Sequence, residues 1–131
     1  MTDEAHLRQL RDLTPIDIWQ GVRARRIVGE RCMFAVIELD ANTAVPEHRH
    51  PHEQLGIVLR GSGEFRVGEE TRRVGPGDTW RIPSDVPHQF TVGPDGAVVI
   101  DVFAPPREDW AALSPAESRP IRWPAMQGDA A

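Results

Sequence analysis

The chain has 131 residues, enough for one domain with a core, and its 12 prolines and 11 glycines favour short strands joined by turns over long helices. A formal net charge of −5 disfavours a nucleic-acid partner, because phosphate binding needs a positive surface. The single cysteine, Cys32, excludes an internal disulfide, and we predict that it is a buried apolar residue. We expect one domain over residues 1–131.

The sequence also carries expectations about location. Its first residues are polar and acidic, where an export signal would be basic and then apolar. No apolar run approaches the ~20 residues needed to span a bilayer. We therefore expect a cytoplasmic protein with no membrane partner.

The first part of the chain predicts one short element before the strands begin. Leu7, Leu10 and Leu13 are spaced for a single amphipathic turn, which Pro15 would end, so a short helix and a frayed tail both fit. The alternation of apolar residues then predicts a strand over 16–27.

Three arginines lie within that first predicted strand. We interpret Arg23, Arg25 and Arg26 as a solvated strand face, in preference to an anion site, because the chain is acidic overall. Residues 32–39 are rich in β-forming side chains and are bounded by turn residues, which predicts a second strand.

The stretch from residue 42 to residue 61 contains the first residues suited to metal chemistry. His48, His50 and His52 occupy alternate positions, and a strand points alternate residues to one face, so one surface gathers several imidazoles. Imidazole nitrogen binds zinc, copper, iron or nickel, and an oxygen of Gln54 or Glu53 could add a ligand. A solvated loop is the alternative interpretation.

The remainder of the chain predicts further short strands separated by glycine-rich and proline-rich turns. They cover residues 54–60, 64–67, 71–74, 79–82, 88–92 and 97–103. Regular spacing without long helices indicates an antiparallel barrel or sandwich. From residue 104 onward the chain is proline-rich, and we expect an extended tail in which Trp110 and Trp123 pack against the domain.

Two spaced motifs resemble those of the cupins, which are small antiparallel β-barrels of jelly-roll-like, double-stranded β-helix type. The first motif matches Asn42, His48, His50, Gln54 and Gly61, with Gln54 where glutamate is usual and Asn42 in place of glycine. The second matches Gly77, Pro83, Asp85, His88 and Val92, with the second glycine and the asparagine replaced. The resemblance covers about residues 20–110 and implies an all-β cupin barrel.

The resemblance also implies a metal site in the mouth of the barrel. Its ligands would be His48, His50, Gln54 and His88, holding one divalent transition metal such as nickel, zinc, manganese or iron. His52 falls outside the ligand set of the family, so it would support a ligand or lie in solvent. Glu53 would point to the opposite face of the strand from Gln54.

A narrower resemblance lies in residues 97–110, which look like the ending of the cupins of pectin and alginate breakdown. That family converts cyclic 4,5-unsaturated uronates into linear keto sugars, and the resemblance implies that Asp101, Phe103 and Arg107 take part. A carboxylate in an apolar strand needs a polar cavity or a partner, so Asp101 is either a site residue or half of a salt bridge, for example with Arg107. The segment around Arg107 could alternatively close the barrel or bind a neighbouring chain.

Three functional hypotheses follow. The first is a metal-dependent, non-redox isomerase acting on a small, anionic uronate, in which Asp101 moves a proton, Arg107 holds the carboxylate, and Phe103 with Trp80 forms an apolar wall. The second is an iron-dependent dioxygenase, and the third a non-catalytic sugar-binding or metal-binding module. We also expect a homodimer, because pairing of edge strands between two copies would cover the exposed edges of the sheet.

Overall fold

Strands make up most of the computed structural model, which describes residues 5–117 and 119–124. The eight strands are β1 (Ile16–Trp19), β2 (Val22–Val28), β3 (Met33–Leu39), β4 (Ala44–His48), β5 (Glu53–Val67), β6 (Glu70–Val74), β7 (Thr79–Ile82) and β8 (His88–Ala104). Two short 3-10 helices, Leu10–Asp12 and Glu108–Ala112, lie on either side of them. No helix in the described part of the chain is long and apolar enough to cross a membrane.

All eight strands belong to one antiparallel sheet that curls on itself. The order is β1-β2-β3-β8-β5-β6, with β4 also paired to β8 and β7 to β5. The two longest strands pair with each other from Glu53 opposite Ala104 to Val67 opposite His88, with irregularities near Gly61. Such bulges bend a strand, so each long strand serves both halves of the barrel. The structure confirms the all-β, jelly-roll-like prediction.

Glycines placed within the long strands explain why the predicted strand boundaries differ from the observed ones. Gly61 has φ of 79°, and a Cβ there would lie 2.0 Å from the Gly96 carbonyl oxygen, so only glycine permits this close crossing. The glycines therefore bend β5 and β8 where turns between separate strands were predicted. The predicted strand 16–27 is, conversely, two strands joined by a turn at Gly21.

The core lies inside the curled sheet, and the ends of the chain pack around it. Met33, Val58, Ile82 and Phe103 are among the most buried side chains. Trp110 is buried, as predicted, whereas Trp123 is half-buried. The first 3-10 helix confirms the short-helix interpretation of the N-terminal leucines, although Leu7 itself is exposed.

Two of the three arginines of β2 were wrongly predicted to be solvated, and the third, Arg26, is half-buried. Arg23 and Arg25 are only 4% and 6% exposed. Residues 119–124 lie along this face: the Arg122 backbone N–H donates to Glu38, and the Arg119 carbonyl accepts from Arg25. Glu38 is 2% exposed and lies directly opposite Arg23 in the register of β2 and β3. The buried charges thus compensate one another across the strands.

Cys32 is likewise not buried as predicted, since it is exposed. It lies in the turn between β2 and β3, where its carbonyl accepts a hydrogen bond from Gly29 N–H at 2.8 Å. A residue in a tight turn at the edge of the molecule has no core to enter, whatever its hydrophobicity.

Asp40 should make folding stability depend on acidity. Arg23 donates to its carboxylate at 2.9 Å, and this contact, aided by Arg122, lowers the pKa of Asp40 to about 2. A carboxyl group whose pKa is lower in the folded state than in the unfolded state stabilises the folded protein at pH values above the unfolded pKa of 3.8. This stabilisation is lost as the pH falls through the folded pKa of about 2. We expect Asp40→Asn to be less stable than the native chain at pH 7 and equally stable below pH 2. Urea unfolding at both acidities measures this, and an equal loss at both would contradict it.

Candidate metal centre

Three imidazoles meet at the mouth of the barrel. His48 ends β4 and lies opposite His88 at the start of β8, while His50 stands in the loop that leads into β5. The ring centroids are 4.3 Å apart for His48 and His88, and 5.1 Å apart for His50 and His88. One nitrogen from each ring lies within 4.8 Å of the other two, a cluster that could hold a metal ion.

Backbone carbonyls fix the orientation of all three rings. Each Nδ1 lies against the carbonyl of a residue two positions away: His48 against Pro46 (2.8 Å), His50 against His52 (3.0 Å) and His88 against Val86 (2.9 Å). In a neutral ring Nδ1–H donates to the carbonyl and Nε2 keeps its lone pair. The His88 Nε2 is buried and has no hydrogen-bond partner among the described residues. Donation from Nδ1–H to a backbone carbonyl is the arrangement by which metal-binding histidines are held in position.

The rings are held in the neutral form that binds metals. Burial lowers the pKa of His50 and of His88 to about 4, and it also lowers the pKa of His48. The positive charge of Arg107 adds to the effect on His50. Uncharged imidazole is the ligand form, so the cluster does not have to release protons before it binds an ion at neutral pH.

Gln54 brings an oxygen next to these nitrogens. Its Oε1 lies 3.0 Å from His50 Nε2, and its amide group hydrogen-bonds to Asp101, which directs the oxygen towards the histidine. With His50 Nδ1 donating to a carbonyl, the two facing atoms are both acceptors. A cation between them would satisfy both, so the donor set fits a metal.

Asp101 lies on the inner face of β8 and is 5% exposed. Trp80 Nε1–H donates to its Oδ1 at 2.8 Å. Burial raises the pKa of Asp101 to about 6, against the opposing effects of the Trp80 and Gln54 hydrogen bonds and the Arg107 charge. Asp101 is therefore a buried carboxyl group whose partners are an indole and an amide. Asp101 forms no ion pair with Arg107, which was the alternative that the sequence left open.

The contact between Trp80 and Asp101 depends on Gly56. This residue lies between them in the register of β7, β5 and β8. A Cβ at position 56 would come within 2.2 Å of Trp80 Nε1 and 2.4 Å of Asp101 Oδ1. Sequence reasoning missed this role, although an isolated glycine within a strand pattern often marks such a close approach.

Arg107 lies at the edge of the same cavity. Its Nε and Nη2 donate to the Asp109 carboxylate at 3.0 and 2.8 Å, and its guanidinium stands 4.9 Å from the ring centroids of both Phe103 and Trp110. Phe103 is buried, with its ring 5.8 Å from that of His50. The structure thus brings the predicted site residues His48, His50, Gln54, His88, Asp101, Phe103 and Arg107 to one place.

Two further residues border the site, and a third, a predicted candidate, lies outside it. Trp19, which sequence reasoning did not select, lines the cavity and packs on His48 at 4.8 Å between ring centroids. His52 is 3% exposed and so does not lie in solvent. Glu53 forms an ion pair with Arg81 at 3.3 Å, on the face of β5 opposite Gln54, as strand alternation predicted.

Removal of one imidazole should weaken metal binding sharply. We expect His88→Ala to lose roughly 100-fold or more in affinity for nickel or zinc, because loss of a residue that merely supports a ligand already costs 10–100-fold. Calorimetric titration with each metal measures the effect. His6→Ala, which removes an exposed histidine outside the cluster, is the matched control and should bind like the native chain. Unchanged affinity in His88→Ala would contradict the cluster as a metal site.

The curated proteins that align with the chain include a lyase, a dioxygenase and a pectin degradation protein. Dimethylsulfoniopropionate lyase DddQ of Ruegeria pomeroyi is 37% identical over 70 residues, 47% of this chain and 35% of the lyase. An acireductone dioxygenase of Puccinia graminis is 28% identical over 109 residues, 76% of this chain and 60% of that enzyme. Pectin degradation protein KdgF of Dickeya dadantii is 26% identical over 102 residues, 76% of this chain and 93% of KdgF. The chain thus spans less than two thirds of the first two relatives.

The fold has close counterparts among solved structures, and the family follows from the sequence. KdgF from Halomonas sp. matches with a TM-score of 0.75 at 25% identity, over 81% of this chain and 98% of that one. The cupin domain model matches residues 35–103, more than half of the chain. These residues include every histidine of the cluster and the carboxyl of Asp101. The chain therefore belongs to the cupin family.

Proposed function

We propose that this cupin is a metal-dependent, non-redox isomerase that opens the ring of a 4,5-unsaturated uronate to give a linear keto sugar. The observation that carries the proposal is a cluster of three neutral imidazoles at a cavity that two of them line together with a buried carboxyl group and an arginine. Similarity to KdgF over nearly the full length of that pectin degradation protein supports the substrate class.

The metal would be held by His48, His50 and His88, with Gln54 as the oxygen ligand. A divalent transition ion bound there would supply Lewis acidity towards a substrate oxygen. All four ligands are uncharged, so none of the ion's charge is neutralised by the protein. Nickel, zinc, manganese and iron all suit this donor set.

Arg107 would bind the carboxylate of the uronate. Its Nε and Nη2 are occupied by Asp109, which leaves the other edge of the guanidinium, with Nη1, for a substrate oxygen. The two aromatic rings and Asp109 hold the group in place before substrate arrives, so little side-chain freedom is lost on binding.

Asp101 would carry the proton. Its carboxylate takes the proton of the anomeric hydroxyl, the bond between the anomeric carbon and the ring oxygen breaks, and an aldehyde and an enolate result. Return of that proton to C4 of the enolate gives the ketone, so the reaction is an isomerisation with no redox change. Trp80 N–H holds the carboxyl in position, and the Phe103 ring covers this side of the cavity.

The proposal is tested with 4,5-unsaturated uronate monomers. Ring opening and ketonisation remove the double bond conjugated to the carboxylate, so its ultraviolet absorbance falls. We expect the metal-loaded chain to accelerate this fall over the spontaneous rate in buffer, and the chain after metal removal by a chelator to lose that acceleration. A rate equal to that in buffer with every metal tested would refute the isomerase.

A second candidate is an iron-dependent dioxygenase. It is favoured by the three-imidazole cluster and by the likeness to an acireductone dioxygenase over 76% of this chain. Oxygen uptake with iron, and none with nickel or zinc, would support it. Binding of a uronate without turnover would instead support a binding module.

We also propose a homodimeric state, which light scattering after gel filtration checks.

A further inference from the structure

His52 joins the two parts of the candidate site. Its backbone carbonyl accepts from His50 Nδ1 at 3.0 Å, and its own ring reaches Glu108 Oε2 through Nε2 at 3.0 Å. The ring is buried, and its Nδ1 has no hydrogen-bond partner among the described residues. The contact is that of an Nε2–H that donates to the Glu108 carboxylate.

Glu108 is the first residue of the second 3-10 helix and directly follows Arg107. The helix has five residues, and the hydrogen bond from Trp110 N–H to the Arg107 carbonyl at 3.1 Å closes its first turn. Trp110 anchors it from inside, with its ring 5.1 Å from that of Phe103. The contact between Glu108 and His52 adds a second attachment, on the side of the histidine cluster.

We propose that His52 and Glu108 form a latch that sets the position of Arg107 relative to the histidine cluster. The latch works because one residue, His52, supports His50 with its carbonyl and holds the Arg107 segment with its side chain. Both are therefore positioning residues, with no contact to the substrate. The inference rests on the proposed function, in which Arg107 receives the substrate carboxylate.

A purely structural role for the pair predicts something different. The Glu108 side chain is 75% exposed, and ion pairs with such carboxylates contribute little to stability. Loss of a merely structural contact would leave substrate binding unchanged. Loss of the latch would let the arginine move while the metal ligands stay in place.

The kinetic test uses Glu108→Ala in the metal-loaded chain, with unsaturated uronate as substrate. We expect KM to rise about tenfold while kcat stays within about twofold, because the carboxylate is held less well and the proton step is unchanged. Glu108→Gln keeps an acceptor oxygen for His52 Nε2–H and should restore KM to near the native value. Glu64→Ala, which removes another exposed carboxylate, is the control. A native KM in Glu108→Ala would overturn the latch.

A second readout does not depend on turnover. Nitrogen-15 NMR follows the exchange of the Arg107 Nε–H with water, which the Asp109 hydrogen bond slows. We expect faster exchange in Glu108→Ala and native exchange in Glu108→Gln. If the native chain turns over no uronate, the proposed function fails, and the exchange rate of the Arg107 Nε–H alone then tests whether the latch positions Arg107. Equal exchange in all three chains would overturn it.

Discussion

Replacement of Asp101 by asparagine should lower kcat for unsaturated uronates by roughly 10²–10⁴-fold, the usual contribution of a positioned proton carrier. Asparagine has nearly the same volume and still offers an oxygen to Trp80 N–H, so the hydrogen bond at 2.8 Å and the packing around it can persist. The amide cannot accept the hydroxyl proton. Loss of ultraviolet absorbance measures kcat, and metal content together with thermal unfolding shows that the rest of the site is intact.

Trp80→Phe is the matched control for this prediction. It keeps an aromatic ring above Gly56 but lacks the five-membered ring that carries the indole N–H, so the Asp101 carboxyl loses a hydrogen-bond donor but keeps its chemistry. We expect a smaller loss of kcat than in Asp101→Asn. Native activity in Asp101→Asn would show that another group carries the proton, and the mechanism proposed for this residue would be wrong.

The fold and the assembly of the histidine cluster were predictable because they depend on spacing. The positions of His48, His50 and His88 in two cupin motifs indicate two neighbouring strand ends. Residues 49–52 form a loop between β4 and β5, so the predicted strand alternation does not run through the cluster, and Gln54 follows from the first motif. The strand ends were less predictable, since glycines that bend β5 and β8 look the same in sequence as glycines that end a strand.

Other features depend on contacts between distant segments, which local patterns do not contain. Arg23 and Arg25 read as a solvated face because nothing near them in sequence shows that residues 119–124 return to this side of the sheet. The placement of Trp80 over Gly56 depends on the register of the sheet, in which Trp80, Gly56 and Asp101 lie side by side on three neighbouring strands. The link from His52 to Glu108 spans 56 positions.

Glu38→Ala should destabilise the protein by about 3–5 kcal/mol, the usual cost of removing one partner from a buried ion pair. The Glu38 carboxylate lies 3.4 Å from Arg25 Nη1 and 3.8 Å from Arg23 Nη2, and it accepts from the Arg122 backbone N–H at 2.8 Å. Without it, two arginines that are almost fully buried lose a counter-charge and the C-terminal residues lose an anchor. Urea unfolding at pH 7 measures the free energy of unfolding.

Glu47→Ala is the control for this effect, since Glu47 pairs with Arg66 at an exposed position and should contribute only about 0–1 kcal/mol. A loss as small as this in Glu38→Ala would mean that water reaches the arginines once the carboxylate is gone. A variant that replaces Arg23, Arg25 and Glu38 together by apolar residues of similar volume separates the cost of unpaired buried charge from the loss of attraction between the charges. It removes the buried charges along with their attraction, so we expect it to be more stable than Glu38→Ala. Recovery of this kind would show that the stability lost in Glu38→Ala is mainly the cost of unpaired buried charge.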